Sequence, residues 1–424
     1  MAEAAGSLWE RTAPAATPEP PLRGERRVPV AVVGAGFTGL ATALDLAPDG
    51  EVVVLEAATV GHGASGRNNG QVIPTLSRAE PDDFVRRFGE ERGTRFAHLV
   101  RDSAARVFDL VRRHGIDCDA VQAGWVQPAH RPSRFRLSEA RVRQWRRFGA
   151  EVELIEPPTM AALLGSDAYH GGWLAPAGGH VNPLALARGL ATAAAAAGAT
   201  IHERSPVTAL TRDGDRWRLV TPAGTVLAEQ VVLATAAYTS GAAPRLRASF
   251  LPYRSYQAAT APVDGQTRGV VLRHDHAMSD TRGDLRFAHY DRDGRLVVGG
   301  ALVLYANDHE RIARQVRRKL AEIFPAVAEP VVETVWHGDF ALTTDGLPHL
   351  FEAGPGAWGW IGCNGRGVAL SVAMGSVLAD LVRGRPTAAA PLPVEPLRPI
   401  PFRPVAALVA RSMIAWYRQK DQRD

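Results

Sequence analysis

The sequence predicts an α/β fold: a mostly parallel sheet interleaved with a smaller α+β domain on an antiparallel or mixed sheet. Three observations predict it. A near-continuous β-branched run, Val28 to Val33, stops at the turn Gly34-Ala-Gly36-Phe-Thr-Gly39, after which Leu40, Ala43, Leu44 and Ala47 recur at helical spacing. A second apolar strand, Val52 to Leu55, ends in Glu56 and completes a βαβ unit. Further along, short β runs alternate with turn signals such as Arg212-Asp213-Gly214 and Pro222-Ala223-Gly224, the pattern of a β-meander.

The βαβ unit carries specific physics. Gly34 permits the tight turn, Gly36 lets backbone approach a pyrophosphate, and Gly39 lets the helix pack on the strand. The helix N-terminus offers N–H groups and a positive dipole end to phosphates. Glu56 stands at the spacing where an acid accepts hydrogen bonds from a ribose. Together these make a Rossmann-like dinucleotide-binding unit, which a lone glycine turn would not. The stretch "GHGASGRNNGQV", 61–72, follows instead of further βα units. Its glycines and amide side chains suit a long, extended ligand, although a surface loop of turn formers has the same composition.

Residues 81–164 hold Arg-rich helical pieces, and 246–334 hold alternating strands, with a hairpin turn at Asp291-Arg292-Asp293-Gly294. Near the C-terminus, 359–382 repeats the order strand, Gly-rich turn, helix. The expected division is an N-terminal extension at 1–26 and a cofactor domain from 27–80, 165–245 and 335–385. A substrate domain takes 81–164 and 246–334, and a tail takes 386–424. In the tail Val405, Leu408, Val409, Met413 and Trp416 fall at roughly helical spacing, which favours docking on the protein's own surface or a second subunit over a membrane surface.

Composition narrows the function classes. The net charge is +5, but all 49 basic residues except Lys319 and Lys420 are Arg, and they are scattered among 44 acids. The densest cluster, "RVRQWRR" at 141–147, reads as a solvated helix face, so no nucleic-acid partner is expected. Two cysteines make no disulfide framework, residues 1–22 lack the apolar core of a signal peptide, and no apolar run of about 20 residues offers a membrane span. A cytoplasmic monomer or small homo-oligomer is expected. Neither a nucleophile elbow nor metal-ligand spacing of Cys and His appears in the sequence.

Several further stretches carry a family resemblance. They are "GSLWERTA" at 6–13, "GASGRNNGQ" at 63–71, "GGWLAPAGGHVNPLALARGLATAAAAAGA" at 171–199, "VVLATAAYTS" at 231–240, "WHGDFALTTDGLP" at 336–348 and "GWIGCNGRGVALSVAMGSVLADLV" at 359–382. In this order they resemble the D-amino-acid-oxidase-like (DAO) superfamily of FAD-dependent amine oxidoreductases, most nearly the gamma-glutamylputrescine oxidase branch. Asn69 stands where that branch usually has Gly, and Arg366 where it usually has His.

The resemblance implies a glutathione-reductase-like FAD domain with non-covalent FAD. Its cofactor residues would be Gly34, Gly36, Phe37, Thr38, Gly39 and Glu56; then Ala64, Ser65, Arg67, Asn68, Asn69, Gly70 and Gln71 of the loop. Val207 would meet the adenine, and Ala234 and Thr235 would pass close to the dinucleotide. Asn364, Gly365, Arg366, Gly367 and Val368 would bring a second helix N-terminus to the pyrimidine edge. The linking Cys of covalent members falls within 336–348, which contains no Cys; Cys363 reads as a small apolar strand residue.

The implied reaction is oxidation of an amine C–N bond by hydride transfer to flavin N5, giving an imine and, with oxygen, hydrogen peroxide. A dehydrogenase passing electrons to a quinone or other carrier is the alternative, and an RNA-modification flavoprotein module a remote one. Tyr253, Tyr256, His289 or its neighbour Tyr290, and Trp336 are the candidate aromatic cage over the flavin, with Arg366 near the ring or the substrate entrance. Aromatic residues on strands also serve as plain core. Relatives that oxidise glycine or D-amino acids grip the carboxylate with an Arg where this chain has Phe340. With Asp339 beside it, the substrate is expected to be an amine, and not a simple α-amino acid.

Overall fold

The computed structural model describes residues 6–284 and 286–421. Residues 1–5 of the expected extension and 422–424 of the expected tail lie outside them.

The first sheet is built on five parallel strands in the order Thr200–His202, Val52–Leu55, Gly24–Val33, Gly224–Leu233, Ala357–Ile361. Val52–Leu55 is wholly buried, as its unbroken apolar run requires of a strand covered on both faces. The helix Phe37–Leu46 lies against Pro183–Ala196 on one side and Val368–Val382 on the other. Gly34 turns the chain at φ +106°, and a Cβ on Gly39 would lie 2.0 Å from the Gly34 carbonyl oxygen, so helix and strand meet only because that position is bare. The expected meander is present: Ala209–Asp213, Arg216–Val220 and Gly224–Leu233 pair antiparallel in sequence.

The second sheet has eight strands, ordered Val332–Leu342, Leu251–Pro262, Arg295–Gly300, Phe287–Tyr290, Ala277–Ser279, Trp125–Pro128, Gly172–Ala175, Glu153–Ile155. The hairpin turn at Asp291–Gly294 joins two of them, with Tyr290 opposite Leu296. One strand and most of a second from the segments expected for the cofactor domain belong here. Gly172–Ala175 pairs on both edges, and Val332–Leu342 runs beside Leu251–Pro262 along nearly its whole length. The far face of this sheet is a core in which Tyr256 and Tyr290 pack with Ile312, Val316 and Leu320 of the helix Asp308–Ile323.

Both chain ends return to this body. The helix Leu8–Thr12 starts from a capping box, with Ser7 Oγ accepting from Glu10 N at 3.2 Å, and inserts Trp9 until it is 1% exposed. The C-terminal helix Arg403–Lys420 docks on the protein's own surface through arginines and not through its expected apolar stripe: Arg418 reaches Asp284 at 2.7 Å and Arg411 lies over the Tyr305 ring. Val405, Leu408, Val409 and Trp416 lie on the side turned away.

Candidate cofactor and substrate cavity

Between the sheets lies an open cavity lined by residues from both. Its floor comes from the parallel sheet, where two strand–turn–helix units deliver Gly36, Phe37 and Thr38, and Gly365, Arg366, Gly367 and Val368. Helices Phe37–Leu46 and Val368–Val382 both begin at a glycine N-cap with no side-chain hydrogen bond. Two positive dipole ends thus meet one cavity. Ala234 lines it from the end of Gly224–Leu233, and Ala64, Ser65, Arg67, Asn68, Asn69 and Gln71 line it from the loop.

The other expected cofactor residues shape the floor without lining it. Glu56 accepts from Ala35 N at 2.8 Å and Ala58 N at 2.9 Å, so its carboxylate fixes the glycine turn. Gly70, at φ +79°, donates its N–H to Asn68 Oδ1 at 2.7 Å. Thr235 Oγ1 pairs with Thr239 Oγ1 at 2.7 Å, and the Val207 carbonyl accepts from Ser240 Oγ. Asn364 holds the second turn, its amide donating to Gly362 O at 2.8 Å.

Cys363 departs from expectation. The strand ends at Ile361, so the thiol sits in the turn and lines the cavity. Burial raises its pKa, which keeps it a thiol and a poor nucleophile.

Arg366 also lines the cavity. Its guanidinium stacks 4.8 Å from the Trp125 ring centre and donates to Thr75 Oγ1 and, at 2.9 Å, to Leu76 O. Burial and nearby Arg141 lower its pKa to about 9, which leaves it charged at pH 7.

The loop is held from behind by three rings, each reaching one of three successive carbonyls. Trp336 Nε1 donates to Arg67 O at 3.0 Å, Trp9 Nε1 donates to Asn68 O at 2.8 Å, and His289 Nε2 lies 2.5 Å from Asn69 O. The rings also pack on one another: Trp9 meets Trp336 edge-on at 5.8 Å and stacks parallel to His289 at 6.3 Å. Burial, with His180 stacked at 4.5 Å, lowers the His289 pKa to about 3 and keeps the ring neutral.

This corrects the expected aromatic cage. Tyr256, His289 and Trp336 do not line the cavity. Side chains alternate along a strand, so Tyr256 points to the far core, where its hydroxyl donates to Asp308 at 2.9 Å. Tyr290 likewise donates to Val271 O at 3.1 Å. Trp336 and His289 grip the loop instead. Tyr253 shares the cavity-side parity and packs on Phe340 at 5.4 Å. The roof is made by Ser255, Gln257, Ser279, Phe287 and Phe340. The parity of Tyr253 would have found Ser255 and Gln257.

The floor and walls fit a long anionic dinucleotide. Two uncapped helix N-termini face in, and Gln71 Oε1 and Gln257 Oε1 are buried without a hydrogen-bond partner among the described residues.

Residues 29–381 match the DAO family of FAD dependent oxidoreductases, so the chain belongs to that family. It is 30% identical to the probable oxidoreductase OrdL of Rhizobium meliloti (strain 1021), covering 90% of this chain and 89% of that one. It is also 30% identical to the gamma-glutamylputrescine oxidoreductase of Escherichia coli (strain K12), covering 91% and 90%. The crystal structure of glycine oxidase from Geobacillus kaustophilus superimposes with a TM-score of 0.71 at 25% identity, covering 87% of this chain and 98% of that one. The protein is therefore an FAD-dependent oxidoreductase. Among the described residues no helix is long and apolar enough to cross a membrane.

Proposed function

We propose that this protein oxidises a C–N bond of an amine lacking an α-carboxylate, in the cytoplasm, with FAD held non-covalently. When bound, FAD supplies the hydride acceptor, and with oxygen the route to hydrogen peroxide. The protein's part is to place the amine and exclude water. The division into an FAD domain and a discontinuous substrate domain belongs to the same reading, with the cavity between them.

One observation carries the substrate class: two of the charged residues lining the cavity are paired with opposite charges, and the third, Arg366, is held by hydrogen bonds from Nη1. Asp339 pairs with Arg254 at 3.1 Å, Arg67 pairs with Glu10 at 3.2 Å and donates to His62 O, and Arg366 is tied to Thr75 and Leu76. Phe340 offers an incoming carboxylate only a ring. A carboxylate buried there unpaired costs on the order of several kcal/mol. An amine instead meets Gln257, which lines the cavity and whose Oε1 is a buried acceptor without a hydrogen-bond partner among the described residues.

The test is anaerobic flavin bleaching by glycine, D-alanine, sarcosine and N-substituted diamines, with mass spectrometry of the products. Diamines are expected to be fastest, and Gln257→Leu to raise their half-saturating concentration about tenfold. Fastest bleaching by the small amino acids would overturn the reading. Peroxide in proportion to amine consumed supports the oxidase; reduced enzyme stable for minutes in air moves the acceptor to a carrier. FAD is expected to leave acid-precipitated protein colourless.

A further inference from the structure

The helix Arg403–Lys420 presents two unlike sides. Its inner side is committed to the body: Arg403 Nε donates to Phe250 O at 2.9 Å, Arg411 lies over Tyr305, and Arg418 reaches Asp284 and Ala301 O. The outer side carries Val405, Leu408, Val409 and Trp416, each more than half exposed, and Phe402 just before the helix is 84% exposed. Their spacing follows one helical stripe. Five large apolar side chains on one turned-out face form a patch, unlike the scattered apolar residues of an ordinary surface.

Charge selects the partner. From Arg403 to Lys420 the helix contains no acid. Exposed Arg398 precedes it, and exposed Arg247 lies close enough to lower the Arg403 pKa further. At the other end the Lys420 ammonium stands 4.9 Å over the Trp416 ring. Asp421, just beyond, is turned inward and accepts from Gly283 N. The apolar stripe is thus bracketed by cations at both ends, with aromatic rings at its limits.

A second copy of the chain fits this face poorly. Two such helices packed antiparallel would bring exposed Arg247 against Lys420 at both ends, and packed parallel they would bring each of these cations against itself. An anionic lipid surface meets both features at once: the stripe enters the headgroup boundary, and the flanking Arg and Lys side chains extend to phosphate. We propose that this face of the C-terminal helix docks the protein peripherally on membranes that contain anionic lipid.

The FAD-loaded protein is to be sedimented with vesicles of phosphatidylglycerol and phosphatidylcholine, and with vesicles of phosphatidylcholine alone. The expected result is roughly tenfold more protein on the anionic vesicles, falling as salt is raised. Leu408→Glu with Trp416→Glu should remove most of that binding, and both positions are exposed and neither lines the cavity. An unchanged flavin spectrum and melting temperature would show that this variant is folded. Binding that survives the double variant overturns the proposal, as does equal binding to neutral vesicles. A dimer in solution that the double variant splits, with no vesicle binding, assigns the face to a second copy and overturns it too.

Discussion

The two sheets meet the same cavity with different materials. The parallel sheet contributes mainly backbone, with Cys363 and Arg366 beside it: glycine turns and helix N-termini whose geometry follows from which residues lack a side chain. The mixed sheet contributes side chains, and which of them reach the cavity depends on strand parity. A site made of backbone leaves a spaced glycine signature in the sequence. A site made of a sheet face can be read only once the parity of each strand is known, because a shift of one residue exchanges the two faces. The loop 61–72 lies between these cases, lining the cavity with its own residues while rings from distant segments hold its carbonyls.

Variants can break this comparison. The largest effect is expected on the floor, where Gly39→Val would drive Cβ towards an oxygen 2.0 Å away. A loss of at least about 3 kcal/mol in urea unfolding, with FAD released, is the expected outcome; full stability with bound FAD would refute the backbone account of the floor.

Acid comes next. Burial lowers the pKa of both His289 and His130 from 6.5 to about 3. The unfolded chain takes up these protons first, so stability is complete above about pH 6.5 and falls as the pH drops from there towards 3. Each group contributes a slope of up to about 1.4 kcal/mol per pH unit. His289→Asn should flatten the acid limb of the stability curve, and an identical limb would mean that His289 is not the buried neutral ring described.

Trp336→Phe keeps the ring and removes one donor to the loop, so the FAD dissociation constant is expected to rise about fivefold, about 1 kcal/mol. Fluorescence titration of the apoprotein measures it, and unaltered affinity would show that the loop needs no such anchor. Tyr256→Phe should do least to the chemistry. Its hydroxyl faces Asp308, so flavin reduction should change by less than about twofold while stability falls by about 1 kcal/mol. A tenfold slower reduction would put Tyr256 back at the cavity.

These contrasts show why the sequence was readable in some places and opaque in others. Gly34, Gly36 and Gly39 announced the first turn because each has a separate steric reason to be glycine. Glu56 stood out by spacing, and its carboxylate also accepts from Ala35 N and Ala58 N, a local arrangement that spacing does not reveal. On the roof, Tyr253 and Tyr256 looked equally suitable as aromatic residues of one strand, and parity separates them. Trp9 belonged to a quoted motif without a role, because its partner, the Asn68 carbonyl, is 59 residues away and backbone carbonyls have no sequence signature. Ser255 and Gln257 were within reach of the same parity argument.

The strand order has a consequence in time. Gly24–Val33 leaves the ribosome first but lies between Val52–Leu55 and Gly224–Leu233, and Ala357–Ile361 completes the row. A nascent chain therefore carries an apolar strand with an open edge through most of its synthesis, a period in which aggregation competes with folding. The helix end at Gly36 waits for the one at Gly367. The complete two-ended cradle forms only after that second turn has emerged, so firm capture of the cofactor marks chains that have finished folding.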